Sequence, residues 1–226
     1  MPALDAYTGH VDQGGAAATR ELPGLHLTKV SVGDFDNNCY LLRCTETGEQ
    51  LLIDAANDAP RLLELAGPAG LATVVTSHRH WDHVQALEAV TKATGAASIA
   101  HPDDAPEIPV PPTRLVSDGD EITVGRASLR VIHLVGHTAG SIALLYEPEL
   151  PGGSIAPHLF TGDCLFPGGP GNTEKDPQRF ATLMDDLERK VFGPLPDETW
   201  VYPGHGDDTT LGKERPHVFE WRQRGW

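Results

Sequence analysis

Apolar and polar positions alternate over residues 25–32, where Leu25, Leu27, Val30 and Val32 mark the apolar set, and the spacing predicts a strand. Residues 38–43 predict a second strand, Thr47-Gly48 turns the chain, and residues 50–54 predict a third, so the chain opens on an antiparallel meander. The pattern then changes period. Residues 59–66 read as a short helix, with Asp58 at its N-cap and Pro60 in its first turn. Residues 71–76 are a continuous, β-branched apolar run, the signature of a buried parallel strand. An Ala-rich helix is expected over 83–94, begun by Asp82 and stopped by Gly95. A further β step ends at 98–100, before a proline-rich loop over 102–112.

Strand signals return over 121–124, 127–134, 141–146 and 159–161. Residues 177–192 place Phe180, Leu183, Met184, Leu187 and Val191 on one helical face, between Asp176-Pro177 and Gly193-Pro194. A last strand over 199–202 leads into Pro203-Gly204-His205-Gly206. Residues 1–23 are small and polar and are expected to form a flexible arm; residues 24–226 are expected to form a single α/β domain.

Composition narrows the partners. Thirty-two acidic against 17 basic residues give a net charge of −15, which repels a phosphate backbone, so no nucleic-acid partner is expected. No apolar run approaches the roughly 20 residues of a membrane helix. The N-terminus lacks the basic and apolar regions of a secretory signal. Three cysteines are too few for a disulfide scaffold, and Cys39 and Cys44, five apart in one strand, point to opposite faces. A cytoplasmic location is the expectation.

Several of the 11 histidines cluster. Ser77-His78-Arg79-His80-Trp81-Asp82-His83 puts four metal-binding side chains between a buried strand and a helix. His78 and His80, two apart in an irregular turn, can grip one cation, and Asp82 and His83 a second. Imidazole and carboxylate donors suit zinc, and also iron or manganese. Three further candidates, His137, Asp163 and His205, each follow a predicted strand and are flanked by glycine, which permits close approach to an ion. Asp54, at the end of the third strand, is a candidate for orienting the donors.

The order His78-x-His80-x-Asp82-His83, then His137, Asp163 and His205, resembles the metallo-β-lactamase-fold superfamily. Gly136-His137-Thr138-Ala139-Gly140-Ser141 and Leu52-Ile53-Asp54-Ala55 add to the likeness, which runs over roughly residues 25–210. The resemblance implies an αββα sandwich, two mixed β-sheets flanked by helices, with two divalent metal ions at one edge. Zinc is the first expectation for both. It further implies that His78, His80 and His137 bind one ion, that Asp82, His83 and His205 bind the other, and that Asp163 bridges them. Two such cations can share a water and lower its pKa toward neutrality. The implied activity is a hydrolase whose bridging hydroxide attacks a carbonyl, with Asp82 as catalytic proton acceptor.

Within the superfamily, Asn38-Cys39-Tyr40-Leu41 and Thr161-Gly162-Asp163-Cys164-Leu165-Phe166 resemble the glyoxalase II-like thioester hydrolases. The implied substrate is a small molecule, a thioester of a low-molecular-weight thiol. The sequence departs from that branch at Gly171-Asn172-Thr173-Glu174, where Gly-Arg-Thr-Asp is usual, and at Val84-Gln85-Ala86, where a small-Gly-Gly step is usual. It also ends about twenty residues after His205, without the long extension that binds glutathione. These departures leave another thiol's thioester, an ester or a lactone open. A mononuclear iron persulfide dioxygenase, with iron on His78, His137 and Asp163, is the alternative enzyme. A non-catalytic metal-binding module is the alternative outside catalysis.

Overall fold

The computed structural model describes residues 7–148 and 156–225. A first sheet of seven strands runs in chain order: β1 (Ala18–Leu22), β2 (Leu25–Val32), β3 (Asn37–Cys44), β4 (Gln50–Ile53), β5 (Thr73–Val75), β6 (Ala97–Ala100) and β7 (Arg114–Leu115). Its first four strands form an antiparallel meander, and β4 through β7 run parallel. The switch comes where the crossover helices α1 (Ala59–Ala66) and α2 (Leu87–Thr94) enter. Parallel neighbours need such crossovers, which cover the sheet's outer face.

The second sheet contains β8 (Glu121–Val124), β9 (Ala127–His133), β10 (Ile142–Tyr146), β11 (His158–Gly162), β14 (Trp200–Pro203) and β15 (Thr209–Thr210), in the order β15-β14-β11-β10-β9-β8. Among the described residues of this sheet, only β11 and β14 pair in parallel. A small ribbon, β12 (Leu165–Phe166) with β13 (Gly169–Pro170), precedes α3 (Pro177–Asp186). The short helices α4 (Leu211–Glu214) and α5 (Val218–Arg224) follow β15.

Three apolar cores separate four layers. Leu27, Leu42, Leu51, Val131, Leu144 and Phe160 meet between the sheets. Leu41, Leu52, Val74, Leu62 and Val90 join the first sheet to α1 and α2. Leu145, Leu159, Val201, Leu183, Met184 and Trp221 join the second sheet to α3 and α5. The chain is the expected αββα sandwich of two mixed sheets. The central strands alternate their side chains between two apolar layers, which is why both faces of β4 are buried. Cys39 and Cys44 fall in different cores, and all three cysteines are free and buried.

Three boundaries differ from the sequence expectation. Of the arm expected over residues 1–23, residues 18–22 are instead β1, paired antiparallel with β2 through the Pro23-Gly24 turn. Edge pairing satisfies that segment's backbone groups; residues 1–6 lie outside the described residues. The helix expected over 83–94 begins only at Leu87, and Asp82 lies in a 3₁₀ turn, Trp81–His83. Its carboxylate accepts from Asn37 Nδ2 at 2.8 Å rather than capping the helix. The helix expected over 177–192 is α-helical to Asp186 and then widens to a π turn over Leu187–Phe192. The wider turn keeps Leu187, Val191 and Phe192 buried, while Asp186 accepts from the Val135 amide and Lys190 donates to the His133 carbonyl. Among the described residues, no helix is long and apolar enough to cross a membrane.

His158 is 3% exposed and lies in the second sheet, where its Nδ1 accepts from the Tyr202 hydroxyl at 2.9 Å. Burial, helped by the Arg20 guanidinium, pushes its pKa down to about 4 from 6.5. The folded state therefore binds fewer protons than the unfolded chain between these values. This contribution to stability is complete above pH 6.5 and is lost as pH falls through about 4, a change of about 3 kcal/mol. His158→Gln is expected to remove that part of the acid sensitivity, measured as the shift in urea midpoint between pH 7 and pH 4.5.

Candidate metal centre

The candidate residues gather at one edge of the sandwich, on loops that leave strand ends. His78 and His80 follow β5, His137 follows β9, Asp163 follows β11 and His205 follows β14. Donor atoms of His78, His80 and His137 all lie within 4.8 Å of one another, and so do those of His78, His83 and Asp163, and of Asp82, His83 and His205. His83 Nε2 is 3.3 Å from Asp163 Oδ1, and His205 Nε2 is 3.3 Å from Asp163 Oδ2 and from Asp82 Oδ2. His137 Nε2 is 3.6 Å from Asp163 Oδ2. The seven residues singled out in the sequence thus fall into three overlapping groups, with Asp163 facing His83, His137 and His205.

The outer nitrogen of four rings is committed to a fixed oxygen. His78 Nδ1 donates to Ser77 Oγ at 3.0 Å and His83 Nδ1 to Asp54 Oδ2 at 2.8 Å. His137 Nδ1 donates to the Asn172 carbonyl and His205 Nδ1 to the Phe35 carbonyl, each at 2.7 Å. A carbonyl can only accept, so these bonds fix the tautomer and turn the Nε2 lone pairs inward. Those inner nitrogens crowd together: His78 Nε2 is 3.2 Å from His137 Nε2 and 3.1 Å from His80 Nδ1, and His83 Nε2 is 3.1 Å from His205 Nε2. Inner nitrogens aimed at one another, beside the buried Asp163 Oδ1 that makes no hydrogen bond and has His83 Nε2 at 3.3 Å, are a donor set that fits cations.

Charge divides the cluster in two. Burial pushes His78, His80 and His137 down, His137 to about 4, so this trio is neutral. Burial also disfavours a charged His83, but Asp163 and Asp54 outweigh it and hold the ring well above the usual range. His205 is pushed up to about 10 against burial by its contacts with Asp163 and Asp82. Burial would raise both carboxylates, yet His83 and His205 hold Asp163 and Asp82 below the ordinary carboxylate range. The carboxylate half of the site therefore favours positive charge strongly.

The supporting backbone is strained or crowded where the donors need it. Asp54 sits at φ 58, a left-handed conformation, and from there accepts from both the Ser77 amide and the Ser77 hydroxyl at 2.7 Å. A Cβ at Gly204 would lie 2.1 Å from Asp163 Oδ1 and 2.8 Å from His83 Cε1. Gly204→Ala is expected to displace Asp163 and to lower metal affinity by roughly 10–100-fold, measured by competition with a chromogenic chelator.

Two supporting residues escape sequence reasoning. Asp104 accepts from the Arg79 amide at 2.9 Å, Thr138 Oγ1 at 2.6 Å and the Gly140 amide at 2.8 Å, tying the loop of His78 and His80 to that of His137. Lys29, fully buried, donates to the carbonyls of Gly9 and Gly206 and to Asp208 Oδ1, beside His205. No local pattern marks either residue, because every partner lies far along the chain. His101 and His133 stack on each other at 3.8 Å and do not join the cluster.

A sandwich of this topology with donors on these strand ends defines a class, and the comparisons agree with it. The Metallo-beta-lactamase superfamily profile matches residues 32–205, and the chain belongs to that superfamily. A hydroxyacylglutathione hydrolase of Polaromonas sp. is 38% identical over 177 residues, covering 76% of this chain and 62% of that protein. The chain thus spans less than two thirds of that relative's length. The crystal structure of TTHA1623 in a di-iron-bound form is 32% identical, covers 83% of this chain and 96% of its own, and superposes with a TM-score of 0.67. ETHE1 from Myxococcus xanthus is 29% identical, with 87% and 84% covered and a TM-score of 0.72.

Proposed function

We propose that the protein is a dinuclear metal-dependent hydrolase of the glyoxalase II-like kind, cleaving a thioester of a low-molecular-weight thiol or a related ester or lactone. The observation that carries this reading is Asp163 seated among imidazoles whose outer nitrogens are already bonded. His78, His80 and His137 would hold one ion, Asp82, His83 and His205 the other, with Asp163 shared. Zinc is the proposed metal; iron or manganese suits the same donors, and TTHA1623 binds two irons. A pair of divalent cations supplies an ionised water at neutral pH and polarises a carbonyl.

The chain's own residues do the rest. Asp54, Asn172 and Phe35 hold the tautomers of His83, His137 and His205. Asp82 is 24% exposed at its side chain and is oriented by Asn37, so it meets both the donor cluster and incoming substrate. It is the proposed proton acceptor during turnover. The free thiols of all three cysteines agree with a reducing cytoplasm.

Elemental analysis of freshly purified protein, with hydrolysis of a thioester panel, tests the reading. About two metals per chain, with turnover lost to a chelator and restored by added zinc, is the expected result. A single iron with oxygen consumption on a persulfide would overturn it. That outcome would favour a dioxygenase using His78, His137 and Asp163, with no task for Asp82, His83 and His205.

A further inference from the structure

Two large apolar side chains stand exposed beside the donor cluster. Trp81 is 67% and Phe35 61% exposed. Their rings meet edge to face, with centroids 6.5 Å apart and planes at 86°. Both are anchored to the site by their own backbones. Trp81 sits between His80 and Asp82, and the Phe35 carbonyl accepts from His205 Nδ1 at 2.7 Å. Trp81 also lines a cleft of about 350 Å³, together with His80, Val84, Pro109, Arg79 and Glu107. Arg79 and Glu107 pair at 3.3 Å, so the two charged members offset each other and the remaining wall is largely apolar. The cleft therefore shares its wall between a donor of the proposed metal centre, His80, and an indole.

An indole left this exposed forgoes the burial that normally stabilises it, and it gains that burial only when something covers it. The position favours a substrate as the cover, since the cleft it walls is also lined by His80. We propose that Trp81, braced by Phe35, walls an acyl-binding cleft that selects thioesters carrying a bulky apolar or aryl acyl group over short hydroxyacyl ones. This inference rests on the hydrolase reading for its substrate and on the cleft alone for its apolar selectivity.

The test uses the metal-loaded full chain and thioesters of one thiol, N-acetylcysteamine, with acetyl, lactoyl, octanoyl and phenylacetyl groups. Wild type is expected to favour octanoyl and phenylacetyl over lactoyl by about tenfold or more in kcat/KM. Trp81→Ala and Phe35→Ala are expected to bring that ratio toward one while metal content per chain is retained, and Trp81→Phe to keep most of it. A wild-type ratio near or below one, or a ratio untouched by both truncations, would overturn the proposal. So would sedimentation showing a wild-type dimer that either truncation splits, because the rings would then cover each other between copies.

Calorimetric binding of the inert S-octyl thioether of N-acetylcysteamine separates the two readings. If no thioester turns over but the thioether binds and Trp81→Ala weakens it about tenfold, the hydrolase reading fails and the cleft stands. Absence of Trp81-dependent binding removes the cleft whatever the turnover.

Discussion

Asp163→Asn is expected to lower hydrolysis by at least ~100-fold and to reduce the metal content below two per chain. The substitution keeps shape and removes one charge. Asp163 is 9% exposed and faces His83, His137 and His205 at 3.3 to 3.6 Å, so the lost charge is one that acts on all three rings at short range. In wild type, the charge holds His83 well above its ordinary range and His205 at about 10. In the variant both rings should lose part of that elevation, which NMR titration of the chelated protein would detect independently of activity. Wild-type turnover with full metal content would remove Asp163 from the centre.

Lys29→Met carries the largest expected cost in stability. The Lys29–Asp208 pair has no exposure on either side chain. Its members are fully bonded: Lys29 reaches Gly9, Gly206 and Asp208, and Asp208 Oδ2 accepts from Tyr7 at 2.7 Å and Trp200 Nε1 at 2.9 Å. Deleting one partner leaves a buried carboxylate without its cation, a loss of about 3–5 kcal/mol. For a chain of this length that is a drop of roughly 10 °C in Tm. The pair also pins the turn carrying His205, so metal affinity should fall with stability. Lys29→Met with Asp208→Asn should recover part of the Tm, because the stranded charge is then gone. A Tm within 2–3 °C of wild type for the single variant would show that the pair contributes little.

The elements with strong local signals were legible in the chain. The period-2 run of β2 and the capped, Pro-started α1 have the bounds their patterns predict, since alternation, capping and turn chemistry act over a few residues. β1 carried a usable signal, the Pro23-Gly24 turn between two short runs, which its small and polar composition masked. The start of α2 and the break after Asp186 were not legible. Distant partners set them: Asn37 draws the Asp82 carboxylate aside, and the Val135 amide draws that of Asp186.

The same division holds for the site. The spacing of His78, His80, Asp82 and His83, and the glycine-flanked His137, Asp163 and His205, marked the candidate donors by themselves, because metal-binding chemistry restricts residue types at short range. Only the tertiary structure decided which donors face one another, which oxygens fix each ring, and that Asp104 and Lys29 hold the loops. It also decided that Trp81 and Phe35 stand together, 46 residues apart in sequence and 6.5 Å apart in space. Such contacts join strand ends distant along the chain, and their distances follow from how two twisted sheets pack, which no local pattern encodes.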